Sequence, residues 1–403
     1  MGIQTELETA TLLAAASTSI LSTAVRPELV MERGQGMYLW DTDGKRYLDF
    51  VGGWAVTCLG HSPAVIQEAL AQQSAALVHS SPSFYNKPMI QFAKLLTDGT
   101  GYDRAFFTSS GAEANEGAIK LARKHGSIHL GGAFEIITTV NGFHGRTLAT
   151  MSATGKKQWE PLFAPKIPGF KHVPLNDLDA CLAAINPNTC AIMLELVQGE
   201  GGVHEAEVEY VQQLRKICDD SGIMLIFDEI QTGFGRTGKL FAYEHYGVQA
   251  DVMTLGKGIG GGFPLSAMLT KEAFNIFDVG DQGGTYTGQP LAMAVGLAVV
   301  NELIRLELPH HAEQQGRYIV ERLHQIEDKY NLKHIRGKGL LLAFDLPKPV
   351  GAELVAACLQ AGLLINAPNS LTIRLMPPLV VSATDIDVMF DLLCDALDGI
   401  FRT

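Results

Sequence analysis

Ile223–Gly262, IMLIFDEIQTGFGRTGKLFAYEHYGVQADVMTLGKGIGGG, contains two apolar runs that each end at a chemically active residue. The first, Ile223–Phe227, lies between Gly222 and the acidic pair Asp228-Glu229, the pattern of a buried strand that stops at a functional edge. The second, Asp251–Leu255, delivers Lys257 into a glycine-rich turn. Parallel sheets place ligands beyond the carboxyl ends of their strands, so Asp228 and Lys257 are expected to face one crevice. A partly desolvated lysine there can lose its proton and form a Schiff base with a carbonyl compound. Taken singly, the lysine has a plainer reading as a solvated loop residue, and the aspartate as a helix cap or salt-bridge partner.

Outward from this stretch, strands and helices alternate. Ala105–Thr108, Phe134–Val140, Cys190–Val197, Val252–Leu255 and Leu265–Leu269 read as further strands, with helices over Ala112–His125 and Val208–Asp220. The alternation predicts an α/β fold with a mostly parallel sheet covered on both faces. Pro290–Leu308 and Glu313–Tyr330 read as long helices leading out of it. Strands near Leu340–Phe344, Leu363–Asn366 and Leu371–Leu375, with helices over Gly351–Ala361 and Ala383–Phe401, form a smaller α+β unit. Gly36–Phe50 alternates apolar and polar residues about Asp43-Gly44, a hairpin signal. Ser62–Leu77 reads as a helix opened by Ser62-Pro63, with Val65, Ile66, Leu70 and Leu77 on one side. Residues 1–30 read as a mobile lead-in with one helical piece.

Composition narrows the function. A net charge of −12 argues against nucleic acid or an anionic membrane as partner. The six cysteines show no CxxC and no close Cys/His clustering, so no metal site is indicated and the thiols read as buried in a reducing compartment. Glu6 and Glu8 stand where a signal peptide needs positive charge, and a cytoplasmic protein is expected.

Two loops after strands carry further chemistry. Ser109-Ser110-Gly111-Ala112-Glu113-Ala114-Asn115 opens a helix whose N–H groups and dipole suit an anion, although Ser-Gly before a helix is more often a cap. In Asn141-Gly142-Phe143-His144-Gly145-Arg146-Thr147, an aromatic can stack on a flat ring and an arginine can clamp a carboxylate. The plainer reading is a core phenylalanine and a surface arginine.

The run Asp228-Glu229-x-Gln231-Thr232-Gly233-x-Gly235-Arg236-Thr237-Gly238, followed by Thr254-Leu255-Gly256-Lys257-Gly258, closely resembles the class III pyridoxal-phosphate aminotransferases, the group of the ornithine and acetylornithine enzymes. The hairpin at Gly36–Phe50 matches the opening of that family, and the resemblance extends to the strand carrying Arg374. It implies the fold-type I architecture, divided into an N-terminal segment 1–60 joining the small domain, a large cofactor domain 61–305 and a small domain 306–403. It also implies pyridoxal 5'-phosphate as cofactor. Gly111, Ala112 and the Ser110 hydroxyl would take its phosphate, Phe143 its ring face, Asp228 its ring nitrogen and Gln231 its phenolic oxygen. Lys257 would bind it covalently and carry the catalytic proton. Thr285, in Gly283-Gly284-Thr285-Tyr286-Thr287-Gly288-Gln289-Pro290, would reach the phosphate of a neighbouring subunit, making a homodimer with shared sites and leaving open a tetramer.

For substrates, the resemblance assigns Arg146 to an α-carboxylate and makes Glu200 a gate paired with Arg374, which is freed to receive the second carboxylate of 2-oxoglutarate. The expected reaction moves an ω-amino group from N-acetylornithine or a similar acylated diamino acid to 2-oxoglutarate, a step of arginine biosynthesis. The sequence departs from the family pattern at Leu196, Thr287 and Gln289, and at Trp54, where ornithine enzymes carry tyrosine and acetylornithine enzymes a small aliphatic residue. Trp54 adds apolar surface at the pocket wall, which keeps 4-aminobutyrate, ornithine and more apolar ω-amines open as donors. Two readings from other classes are an aminomutase on the same fold, which the Glu200/Arg374 pair argues against, and a non-catalytic cofactor-binding protein, which intact Lys257, Asp228, Gln231 and Thr285 argue against.

Overall fold

Side chains on the strand Met224–Asp228 alternate between two buried clusters, Leu225 and Phe227 on one face and Met224 and Ile226 on the other. With both faces covered, no position on the strand needs a polar residue, and the continuous apolar run follows. The computed structural model describes residues 2–401, with side chains from residue 8 onward. In it this strand is the centre of a seven-stranded sheet ordered Arg104–Thr108, Ser266–Thr270, Val252–Leu255, Met224–Asp228, Thr189–Leu194, Glu135–Thr139 and Phe170–Val173. Only Ser266–Thr270 runs antiparallel to its neighbours. The expected fold class is therefore the one observed.

Helix Gly111–His129 packs on one face of this sheet and Val208–Ser221 on the other. The edge strand Phe170–Val173, reading FKHV, has no apolar run to mark it in the sequence, because it is largely half-buried and carries Lys171 and His172. The strand expected over Cys190–Val197 stops at Leu194. Glu195 turns into the interior there, and Val197-Gln198 pairs with His204-Glu205 in a separate short hairpin.

The hairpin Tyr38–Asp41/Arg46–Asp49 forms as expected, and Leu363–Leu364 adds to it in parallel, joining the two ends of the chain in one sheet. A second small sheet holds Lys333–Lys338, Leu341–Asp345 and Thr372–Leu375. The early helix spans Ala64–Ala76 with Pro63 as its N-cap, so Leu77 lies beyond its end and is exposed. The N-terminal helix Gly2–Ser19 docks on the hairpin turn through Thr9, which hydrogen-bonds Asp43 and Thr42. Among the described residues, no helix is long and apolar enough to cross a membrane.

Candidate active site

Five parallel strands end on one side of the sheet, and each contributes to a cavity of about 250 Å³. Gly111 and Ala112 follow Arg104–Thr108, and Phe143, His144 and Arg146 follow Glu135–Thr139. Glu195, Asp228 and Lys257 follow the three strands between, with Gln231 on the loop after Asp228. Seven residues expected from sequence thus meet in one place: Gly111, Ala112, Phe143, Arg146, Asp228, Gln231 and Lys257. A larger cavity of about 530 Å³, bordered by Met151, Trp159 and His172 among others, contains none of the expected residues.

Asp228 is buried and stands opposite Thr254 on the next strand, three residues before Lys257. Its Oδ2 accepts hydrogen bonds from Asn115 Nδ2 (2.8 Å) and His144 Nδ1 (2.7 Å), and its Oδ1 accepts one from the Ile230 N–H (3.1 Å). Asn115 is held in turn by Thr254, whose hydroxyl donates to Asn115 Oδ1 (2.7 Å). Burial pushes the His144 pKa down, but the hydrogen bond and charge of Asp228 outweigh it and the net shift is upward. Lys257 has a left-handed backbone (φ 48°), which strains a residue with a Cβ. Its pKa is lowered to about 8: burial, aided by Arg374, pulls it down and outweighs Glu200, Glu195 and Asp228, which raise it. Glu195, buried beside Asp228, is pushed up to about 7, and its Oε2 accepts the Phe143 N–H (2.8 Å).

Outside the cavity lining, but near enough to Lys257 to lower its pKa, Arg374 is fully buried. It donates to the Gly199 carbonyl (2.7 Å), to Asn366 Oδ1 (2.8 and 3.1 Å) and to Glu200 Oε1 (2.8 Å). Trp54 is 51% exposed, and the Arg374 guanidinium lies 5.7 Å from its ring centre. The indole is carried on a left-handed turn, with positive φ at Gly52, Gly53, Trp54 and Ala55. A Cβ on Gly52 would meet the Met376 carbonyl at 2.7 Å, so this turn lies against the end of the strand that carries Arg374. Arg146 forms no ion pair among the described residues, and its guanidinium lies 4.0 Å from the centre of the Trp159 ring.

Ser110 and Thr285 also lie outside the cavity lining. The Ser110 hydroxyl donates to Glu113 Oε2 (3.0 Å) and accepts from the Glu113 N–H (3.3 Å), while Glu113 also takes the Ser109 and Ser110 N–H groups. Ser110 is therefore engaged as an N-cap, and the Gly111 and Ala112 N–H groups at this helix start have no intrahelical acceptor. The spacing Ser110-Gly-Ala-Glu113 is the sequence signal for this capping box. Thr285 is exposed and borders a second cleft with Ser109, Glu113 and Glu116, outside the Lys257 cavity of its own chain. His144, Glu195, Asn115, Asn366, Lys156 and Trp159 received no role from the sequence; each is defined by contacts across distant parts of the chain.

A strand-end lysine with a depressed pKa, a buried carboxylate fixed by three donors and a helix start with free N–H groups define a site for a phosphorylated carbonyl compound with a basic ring. Gln231 adds a sign of fit: its amide is buried, and neither Nε2 nor Oε1 has a partner among the described residues, which suits contact with a bound polar group. Comparison with known proteins agrees. The Aminotransferase class-III family matches residues 21–397, and the chain belongs to that family. Its cofactor is accordingly pyridoxal 5'-phosphate. The chain is 49% identical to acetylornithine aminotransferase 2 of Bordetella pertussis, covering 95% of this chain and 96% of that one. An ornithine aminotransferase structure from Toxoplasma gondii, with PLP at partial occupancy in its active site, superposes with a TM-score of 0.93 at 28% identity, covering 100% of this chain and 99% of that one. Acetylornithine aminotransferase from Elizabethkingia anophelis gives a TM-score of 0.86 at 30% identity, covering 97% and 99%.

Proposed function

We propose that this aminotransferase takes the ω-amino group of N-acetylornithine, or of a similar acylated diamino acid, and passes it to 2-oxoglutarate, giving a semialdehyde and glutamate. The observation that carries this reading is a pair of arginines, Arg146 lining the cavity and Arg374 near enough to Lys257 to lower its pKa. Arg146 offers an open guanidinium, whereas Arg374 is closed by Glu200 at 2.8 Å. A donor with one carboxylate needs only the first; a dicarboxylate acceptor needs both, and displaces Glu200 to reach the second. The names of the relatives above support the same donor class. Trp54, exposed beside Arg374, favours a second reading in which a more apolar ω-amine is the donor.

Bound pyridoxal phosphate supplies the electron sink that acidifies the substrate carbon. The chain's own residues hold and use it. Asp228, fixed by Asn115, His144 and the Ile230 N–H, keeps a proton on the ring nitrogen. Gln231 would meet the phenolic oxygen, Phe143 would cover the ring, and Gly111 and Ala112 would receive the phosphate. Lys257 would hold the cofactor at rest and, once free, its Nζ would carry the proton lost by the substrate carbon to the cofactor's C4′ carbon. A pKa near 8 suits that exchange close to neutrality. Thr285 completes the phosphate site of a second copy, so the working unit is a cytoplasmic homodimer. We divide the chain into 1–60, 61–305 and 306–403, supported by the pairing of Leu363–Leu364 with Arg46–Asp49.

The test is single-turnover loss of the cofactor's near-visible absorbance on mixing with N-acetylornithine, N-succinylornithine, ornithine, 4-aminobutyrate and a long aliphatic ω-amine. The acylated ornithines are expected to react fastest. A faster reaction with the aliphatic amine would replace the proposed donor while leaving the family assignment intact.

A further inference from the structure

Glu200 bridges two cations. Its Oε1 is 2.8 Å from Arg374 Nη2, and its Oε2 is 3.5 Å from Lys156 Nζ. Lys156 follows the short helix Leu148–Ala153, and the chain there is held against the loop after the strand Glu135–Thr139 by the Asn141 N–H to Gly155 carbonyl bond (2.9 Å) and the Gly155 N–H to Gly142 carbonyl bond (3.2 Å). A Cβ on Gly155 would meet the Thr139 carbonyl at 2.2 Å, so only glycine lets the loop approach this far. The ammonium also lies 5.3 and 5.4 Å from the ring centres of Phe143 and Trp159, which hold it in place without neutralising it. Both partners of the 3.5 Å contact are largely shielded, at 15% and 21% side-chain exposure.

We infer that Lys156 is the second seat of the gate, the positioning residue that receives Glu200 when an incoming dicarboxylate takes Arg374. The inference rests on the gate reading given above. With Glu200 on Arg374, the site is closed to a second carboxylate. When the acceptor's distal carboxylate pairs with Arg374, Glu200 needs a cation within a short rotation, because a shielded carboxylate left beside another is strongly disfavoured. Lys156 provides it, so every charge has a partner in both states. Arg374 itself stays in position, since Gly199 and Asn366 continue to hold it. Lys156 thereby biases the gate toward acceptance of dicarboxylates without touching either substrate.

The experiment uses holoenzyme and its Lys156→Met, Lys156→Arg and Arg374→Ala variants. Binding of glutarate, an unreactive dicarboxylate, is measured by calorimetry, and the donor and 2-oxoglutarate half-reactions are followed separately by stopped-flow absorbance. Lys156→Met is expected to weaken glutarate by about fivefold, the size of one partly exposed ion pair, and to raise the concentration of 2-oxoglutarate needed for half-maximal rate to match. Its donor half-reaction should be unchanged, and Lys156→Arg should restore glutarate binding. Unchanged glutarate affinity in Lys156→Met, or equal losses in both half-reactions, would overturn the inference. If Arg374→Ala leaves the acceptor step intact, the gate reading itself fails; if it cripples that step while Lys156→Met does nothing, only the role of Lys156 fails.

Discussion

Gly199 lies so close to Gln231 that an added Cβ would stand 1.5 Å from Oε1 and 2.6 Å from Cδ of the glutamine. Its own backbone lies outside the left-handed region, so Gly199→Ala introduces no backbone strain and acts only through this contact. The glutamine tip must swing away, at an off-rotamer cost of about 1 kcal/mol. The larger loss is the hydrogen bond it is proposed to offer the cofactor. A bond to an ionised oxygen is worth about 1.5–3 kcal/mol, so cofactor affinity should fall by at least about tenfold. Titrating the resolved apoprotein with pyridoxal phosphate measures this directly.

A double-mutant cycle isolates the cause. Gln231→Ala alone should weaken the cofactor by a similar factor, and Gly199→Ala added to it should cost almost nothing, because the shortened side chain leaves room. Gly199 also accepts a hydrogen bond from Arg374 at 2.7 Å, so the backbone could yield instead of the glutamine. In that case cofactor affinity would hold and the 2-oxoglutarate step would suffer. That outcome, or strict additivity of the two substitutions, would refute the reasoning.

Arg146→Ala should slow donors bearing an α-carboxylate by about a hundredfold in kcat/KM, as expected when a charge-assisted bidentate contact worth about 3 kcal/mol is removed, and leave simple ω-amines nearly unaffected. Equal losses on the two donor types in steady-state assays would count against its role. The rate at which apoprotein captures pyridoxal phosphate should fall as pH drops through about 8, since the folded-state pKa of Lys257 is depressed and the reactive neutral amine exists mainly above it. At pH 7 about a tenth of the amine would be neutral, against roughly one part in 2,500 for an ordinary lysine. A midpoint near 10, measured against the same reaction of N-α-acetyllysine, would show that burial does not activate this residue.

The strand ends were legible because strands buried on both faces read as unbroken apolar runs, and a polar residue after such a run has few roles other than a functional one. The same logic hid Phe170–Val173, an edge strand whose Lys171 and His172 can reach water. Ser110 was ambiguous for a local reason. Its hydroxyl had two possible partners, an anion or the Glu113 backbone, and the capping box is satisfied within the chain. The network behind Asp228 could not be read at all, since Asn115 lies 113 residues from it and His144 lies 84, and no spacing rule links them. Lys156 was equally silent, being 44 residues from Glu200 in sequence.

The gate and the catalytic lysine are electrically joined, since Arg374 lowers the pKa of Lys257 and Glu200 raises it. This coupling bears on how one lysine can serve two half-reactions. If the acceptor simply added a negative charge near Arg374, Lys257 would be driven toward its protonated form in one half-reaction and not in the other. A transfer of Glu200 toward Lys156 moves one carboxylate away as the ligand's carboxylate arrives, so the charge facing Lys257 changes little. The amine can then hold nearly the same proton affinity with either substrate bound. A substitution that traps Glu200 on Arg374 would block the acceptor; one that strands it between the two cations would disturb the lysine instead.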